Sequence, residues 1–204
     1  MTRVEAGVTR LAEFIVRHWL MVLNLGCALF IVPIILIPYV ASVAGEPITR
    51  ILYLVYRPTC HQIPSRCIQL FGHPMPVCAR CFGTYASFWG VCLLYGAWRA
   101  IPWGRKRPLP TIKPIVVIVL SIPLVIDGLT QFVGLRESTN LLRLVTSSLM
   151  GGSFAIFALP HLETGFSQAS ITSSPETHHS TRSPSKRTDA DGPISSSNPG
   201  RRSP

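Results

Sequence analysis

Charged residues are scarce in this 204-residue chain: they make up 14% of it against 48% hydrophobic residues, and the acidic side chains number nine. Soluble domains carry about 25% charged residues, because their surfaces must stay hydrated. Together with a positive mean hydropathy, the shortage excludes an ordinary soluble domain and points to a small integral membrane protein. Internal repeats are absent. So is any pair of interrupted spans in inverted halves, the pattern of many secondary transporters. A small transporter or channel subunit therefore stays open as a class only if the chain assembles into a homo-oligomer. The formal charge of +10 would raise the question of nucleic acid in a soluble protein. Here the basic residues lie beside apolar runs and in a polar tail, which positive-inside topology explains, so the expected partner is the lipid bilayer and not nucleic acid.

What is present is long apolar segments. Residues 1–18 carry Arg3, Arg10, Arg17 and His18, with Val4, Val8, Leu11, Phe14 and Ile15 at helical spacing, an amphipathic lead-in suited to a membrane surface. A first span is expected from about Trp19 to Val43, kinked at Pro33 and Pro38. Its basic start and the small residues Ser42 and Ala44 also fit a signal peptide, but the apolar run is longer than a usual signal core. Further spans are expected over Cys81 to Ala100, Pro114 to Gly134 and Leu141 to Pro160. In the second of the four, Gly83, Gly90 and Gly96 would permit close helix contacts. The fold class is thus an all-α integral membrane protein, a four-transmembrane-helix bundle over residues 19–163 with a Cys/His-rich loop at 45–80. Within that loop, ITRILYLVYR reads as an interfacial helix ending before Pro58. Residues 164–204, rich in Ser, Thr, Pro and basic residues, read as a disordered tail in which His178 and His179 are solvated.

Lysine and arginine number thirteen across the amino terminus, the 99–113 connection and the tail, and six on the opposite side. This places both termini in the cytoplasm and the 45–80 loop, with the RESTN turn at 136–140, on the outer face of a membrane, expected to be the cell membrane. Four arginines in the outer loop (Arg50, Arg57, Arg66, Arg80) run against the rule. Asp127 and Gln131 lie four residues apart on one side of the third span, and Arg143 sits at matching depth on the fourth. Ionisable groups at such depth pair, so Asp127 with Arg143 is the expected couple. That couple would fix helix packing or floor a site beneath the cysteine loop.

The chemistry should lie between Tyr56 and Tyr85, which holds Cys60, Cys67, Cys78 and Cys81 with His61 and His73. Cys60, His61, Cys78 and Cys81 supply three thiolates and an imidazole, the ligand set of zinc or another thiophilic metal. His73 is an alternative to His61, and Arg80 between the thiolates would offset their charge. The competing chemistry is a membrane thiol-disulfide oxidoreductase. It would use the Cys78-x-x-Cys81 pair at a helix amino terminus, where thiol pKa values fall, with Cys60 and Cys67 as partner pair. Structural disulfides are the plainer alternative. Gln62, Glu137 and Asn140 read as loop and cap residues, and Ser138 or Thr139 could cap the fourth helix.

The runs CHQIPSR (60–66), PVCARCFGTY (76–85), DGLTQ (127–131) and RESTN (136–140), with Arg143 following, occur in that order. In this the chain resembles the uncharacterised family of predicted membrane proteins called domain of unknown function 2085, over about residues 45–160. The resemblance implies that Cys60, His61, Gln62, Cys78, Arg80, Cys81, Asp127, Gln131, Glu137, Asn140 and Arg143 are family positions. It also implies that Cys67 stands where the family has serine. The family supplies no established activity, so the resemblance bears on architecture alone.

Overall fold

The computed structural model describes residues 3–106 and 111–172. The chain divides into Met1–Ser174 and Pro175–Pro204. The second unit, with His178, His179 and most of the expected tail, lies outside the described residues. Helix α1 (Arg3–Arg17) is the amphipathic lead-in, its Val4, Val8, Leu11, Phe14 and Ile15 all exposed. Helix α2 (Trp19–Val43) follows, then α3 (Glu46–Tyr56), which ends before Pro58 as expected. Next come a one-turn 3-10 segment at Pro64–Arg66 and two short strands, β1 (Cys67–Leu70) and β2 (His73–Cys78). Helix α4 (Ala79–Ala100) and the short α5 (Pro102–Lys106) precede α6 (Pro114–Phe132) and α7 (Asn140–Thr172). Residues 164–172, expected to begin the irregular tail, continue α7.

Among the described residues, three helices are long and apolar enough to cross a membrane: Trp19–Val43, Pro114–Phe132 and Asn140–Gln168. The second expected span, α4, is not among them. Its small and polar residues dilute its hydropathy because it is the inner helix: it packs against α2 on one side and most extensively against α7 on the other. Two glycines set that crossing. A Cβ on Gly83 would stand 2.7 Å from the Leu144 carbonyl oxygen, and one on Gly151 would stand 2.5 Å from Ser87 Oγ. Neither position tolerates a side chain, so the helices meet backbone to backbone. Gly90, by contrast, faces open space. At the far end of the pair, Glu163 of α7 receives both Arg99 and the Tyr95 hydroxyl of α4. Helix α6 packs on α7 and buries one residue, Asp127.

The strands are a departure from the all-α expectation. Their run HPMPVC holds two prolines and no clean alternation, which hides a strand from pattern reading. What makes the hairpin is its turn: Phe71 and Gly72 both take positive φ, 52° and 78°, as a two-residue type I′ turn requires. Phe71 adopts this disfavoured conformation while its ring packs edge-on against Tyr39 of α2. The antiparallel register pairs Leu70 with His73 beside the turn and Cys67 with Cys78 at the open end.

Candidate functional site

Helices α2 and α6 end, and α4 and α7 begin, at the hairpin end of the bundle. Here the buried side chains of Ile34, Ile37, Tyr56, Met75 and Val77 form a core together with Cys60, Cys67 and Cys78. Hydrogen bonds tie its parts. The Tyr56 hydroxyl donates to the Phe30 carbonyl at 2.8 Å, and the Tyr53 hydroxyl to the Pro74 carbonyl. Gln62, at φ 53°, reaches back with its amide to the carbonyls of Tyr53 (2.6 Å) and Pro76 (2.9 Å). Gln62 is therefore a clamp joining α3 to β2. Proline carbonyls are the natural acceptors, since Pro74 and Pro76 cannot donate to a ladder.

Cys78 occupies the N-cap of α4. The chain enters the helix there in extended conformation, so Cys78 and Cys81 fall on the same first turn with their Sγ atoms 3.5 Å apart. The Cys78 backbone N–H donates to Cys60 Sγ at 3.1 Å. Among the described residues, Cys60, Cys78 and Cys81 form the group that could hold a metal ion, their sulfurs all within 4.8 Å of one another. A tetrahedral ion with metal–sulfur bonds of about 2.3 Å needs sulfurs about 3.8 Å apart. The triangle fits that requirement with little adjustment. It does not fit a formed disulfide, which needs about 2.05 Å, and all six cysteines are free thiols. The adjoining Cys78 and Cys81 side chains, with the Cys78 N–H at its sulfur, hold the Cys60 thiol well below its ordinary range, against the opposing effect of burial. The free N–H groups and dipole of the α4 amino terminus favour negative charge at the same spot.

The histidines stand apart from this group. His61 is exposed and outside the sulfur triangle, as neighbouring side chains on an extended backbone diverge. His73 is five residues from Cys78 along β2, about 17 Å at the rise of a strand. Cys67 lies opposite Cys78 in the register but donates to the Ile63 carbonyl at 3.2 Å. Burial, with the charges of Cys60 and Cys78 adding to it, pushes the Cys67 thiol up to about 12. In folded, chelator-treated protein Cys67 should therefore alkylate at least ~10-fold more slowly than Cys60, since only the thiolate reacts. Mass spectrometry of iodoacetamide adducts over time reads this directly, and equal rates would contradict the assignment.

The polar residues assemble differently from the expected couple. Asp127, 3% exposed, pairs with Arg80 and Arg136 and not with Arg143. Arg80 reaches it with Nε at 3.1 Å and Nη2 at 2.5 Å, and Nη2 also donates to the Asp127 carbonyl at 3.2 Å. Arg136 adds Nη2 at 3.3 Å. The Ser138 hydroxyl, buried in the same turn, lies beside the carboxylate and donates to the Thr139 carbonyl at 3.4 Å. Residue spacing could not choose between these partners, because Arg80 and Arg136 arrive from a helix start and a turn. Arg143 is 5% exposed and donates from Nη1 to Asn140 Oδ1 at 2.8 Å, while its buried Nε finds no partner. Asn140 also donates from Nδ2 to the Cys67 carbonyl at 3.3 Å, docking α7 on the hairpin. Thr139 caps α7 by accepting from the Leu142 N–H at 3.3 Å. Glu137 is exposed. Gln131 has a buried Oε1 without a partner and lines a cleft of about 280 Å³ with Arg66, Arg80, Gly128 and Phe132. From sequence, Arg66 and Arg136 entered only through the count of arginines, and Ser138 only as a possible cap of the fourth helix. The signal for Arg66 was the excess of arginines where positive-inside topology asks for few.

The family described as "predicted membrane protein (DUF2085)" matches residues 60–157, which begin at Cys60 and contain the whole site. An uncharacterized protein of Methanocaldococcus jannaschii is 38% identical over 153 residues, covering 71% of this chain and 92% of that protein. An uncharacterized protein of Methanothermobacter thermautotrophicus is 36% identical over 109 residues, covering 52% of this chain and 92% of its own length. No solved structure matches the chain.

Proposed function

The chain belongs to the DUF2085 family of predicted membrane proteins, and on that premise we propose that it is a membrane protein whose Cys60, Cys78 and Cys81 bind a thiophilic metal, zinc in the first instance. The observation that carries the reading is the closure of three sulfurs from two separated segments to within 4.8 Å. Three thiolates leave one position of a tetrahedral ion to solvent or a small ligand, and half-exposed Cys81 opens the triangle to it. The thiolates would also tie the loop that carries Cys60 to the start of α4.

The same reading places α4 as a fourth span. Its 22 residues cover about 33 Å at 1.5 Å per residue, enough for a hydrocarbon core of about 30 Å. Helices α2 and α6 both run toward the hairpin end, so the chain must return between them. The lysine and arginine distribution favours the hairpin on the outer face and both termini in the cytoplasm. Cysteines introduced as Ser65→Cys and Glu137→Cys, both at exposed positions, should react with an impermeant thiol reagent in intact cells. Protection of both until lysis would reverse the topology.

Elemental analysis of detergent-purified protein, paired with a free-thiol count, tests the metal directly. About one equivalent of zinc, iron or copper per chain is expected, lost in the Cys78→Ser/Cys81→Ser variant. A second reading, thiol-disulfide exchange, draws on the 3.5 Å separation of the Cys78 and Cys81 sulfurs at a helix amino terminus. Absence of metal with two cysteines oxidised and readily reduced would favour it over the metal site.

A further inference from the structure

Beside the sulfur triangle, positive charge exceeds what the protein supplies to balance it. Arg66, Arg80 and Arg143 are close enough that Arg66 and Arg80 both act electrostatically on Arg143, as do Asp127 and Cys78. Arg136 joins them through Asp127. Among the described residues, Asp127 is the carboxylate that makes ion pairs here, so four arginines face one aspartate, leaving three positive charges. Glu137, in the neighbouring turn, is exposed and in none of these pairs. A divalent ion on three thiolates would contribute one negative charge, and the balance would still be positive.

Buried charge without a partner is costly, and Arg143 carries that cost with a neutral Asn140 as its hydrogen-bonded neighbour and Nε unpartnered. The cleft bordered by Arg66, Arg80 and Gln131, about 280 Å³, opens beside this excess of positive charge. Water occupies about 30 Å³ per molecule, so the cleft admits a tetrahedral oxyanion with part of its hydration. We propose that this cleft binds a phosphate-type group, either inorganic phosphate or the phosphodiester of a lipid headgroup. Arg66 and the outward side of Arg80 would supply donors in the fork geometry that suits phosphate oxygens. Arg143 adds long-range attraction. The buried Gln131 Oε1 would accept from a P–OH or an alcohol of the headgroup, and turning its amide would present N–H groups to a fully ionised oxygen. The proposal also accounts for arginines on a face where positive-inside topology predicts few: they are kept there by what they bind. The cleft's own residues, Arg66, Arg80 and Gln131, include none of the metal ligands.

The test uses full-length protein in detergent, with phosphorus-31 line broadening and calorimetry reporting inorganic phosphate at constant ionic strength set by chloride. A second arm counts phosphatidylglycerol and phosphatidylcholine retained from mixed nanodiscs by native mass spectrometry. The primary variant is Arg66→Gln, because Arg66 makes none of the ion pairs and its loss should spare the fold. Arg143→Gln is the second. Arg66→Gln should weaken the ligand at least ~10-fold, the expected value of a charge-assisted hydrogen bond, while keeping the metal content and thermal stability of the wild type; Arg143→Gln, which removes only long-range attraction, should weaken it less. Phosphate binding lost in Arg66→Gln supports a soluble oxyanion. No phosphate binding, with phosphatidylglycerol retained by the wild type and lost from Arg66→Gln, supports a headgroup. Binding of neither probe, or equal binding by wild type and Arg66→Gln, overturns the proposal. Because metal content is read separately, failure of the thiolate site registers independently.

Discussion

Cys60→Ser is expected to strip the purified protein of its metal, while His61→Ala and Cys67→Ser leave it loaded. The discrimination follows from position. Cys60 lies eighteen residues before Cys78 and is carried to it by the Gln62 clamp and the hairpin register, receiving the Cys78 N–H at its sulfur. It is the one thiolate not supplied by the α4 helix start, so losing it leaves a bidentate pair. Replacing residues outside the ligand shell commonly lowers metal affinity 10- to 100-fold, so removing a first ligand should cost at least ~100-fold. His61 is exposed outside the triangle, and its loss should change affinity by less than about 3-fold. The measurement is metal content after dialysis against a competing chelator, followed by titration with a chromophoric one. Retention of metal by Cys60→Ser, or its loss from His61→Ala, would give the site to the Cys60-adjacent histidine or to the C-x-x-C alone.

Asp127→Asn should produce the largest loss of stability of any single polar substitution in the membrane helices. Helix α6 buries only this residue, and its other side chains are left to the apolar surroundings. Apolar burial gives little association between helices in lipid, so packing and hydrogen bonds must supply it. The carboxylate receives Arg80 from α4 and Arg136 from the turn. Neutralising it removes those charge-assisted bonds and leaves Arg80, 23% exposed, without its counter-ion. Breaking a buried pair from one side costs about 3–5 kcal/mol. Arg136→Gln, at a side chain 56% exposed, should cost less than about 1 kcal/mol. Adding Arg80→Gln to Asp127→Asn should recover part of the loss, because a neutral pair leaves no orphaned charge. Thermal unfolding monitored by fluorescence-detected size exclusion ranks the four proteins. Equal melting temperatures for wild type and Asp127→Asn would show that α6 is held by α7 packing alone.

The extent to which the chain could be read in advance differs between its apolar segments and its polar ones. Helix α2 occupies Trp19–Val43 as hydropathy alone placed it, and α3 stops before Pro58 where proline forbids continuation. The C-x-x-C pair at the start of α4 was equally legible, because two cysteines three residues apart lie within one helical turn and must converge. The hairpin was not. Its register depends on a left-handed Phe71 that no propensity favours, and its strand contains two prolines. Pairing of the charges was likewise hidden: depth along two spans suggested Asp127 with Arg143, whereas the carboxylate faces α4 and the turn.

By itself the sequence determined that this is a membrane protein of long apolar helices with its reactive side chains gathered at one end. That much follows from hydrophobic runs and local spacing, which act over a single helix. Only the tertiary structure decided that Cys60 joins Cys78 and Cys81 while His61 does not, that Asp127 anchors α6 to Arg80, and that the remaining arginines crowd beside a cleft. Those outcomes turn on how separate segments rotate and dock. Sulfur proximity and charge pairing change completely with a few ångströms of movement, whereas the free energy of burying an apolar span hardly changes at all.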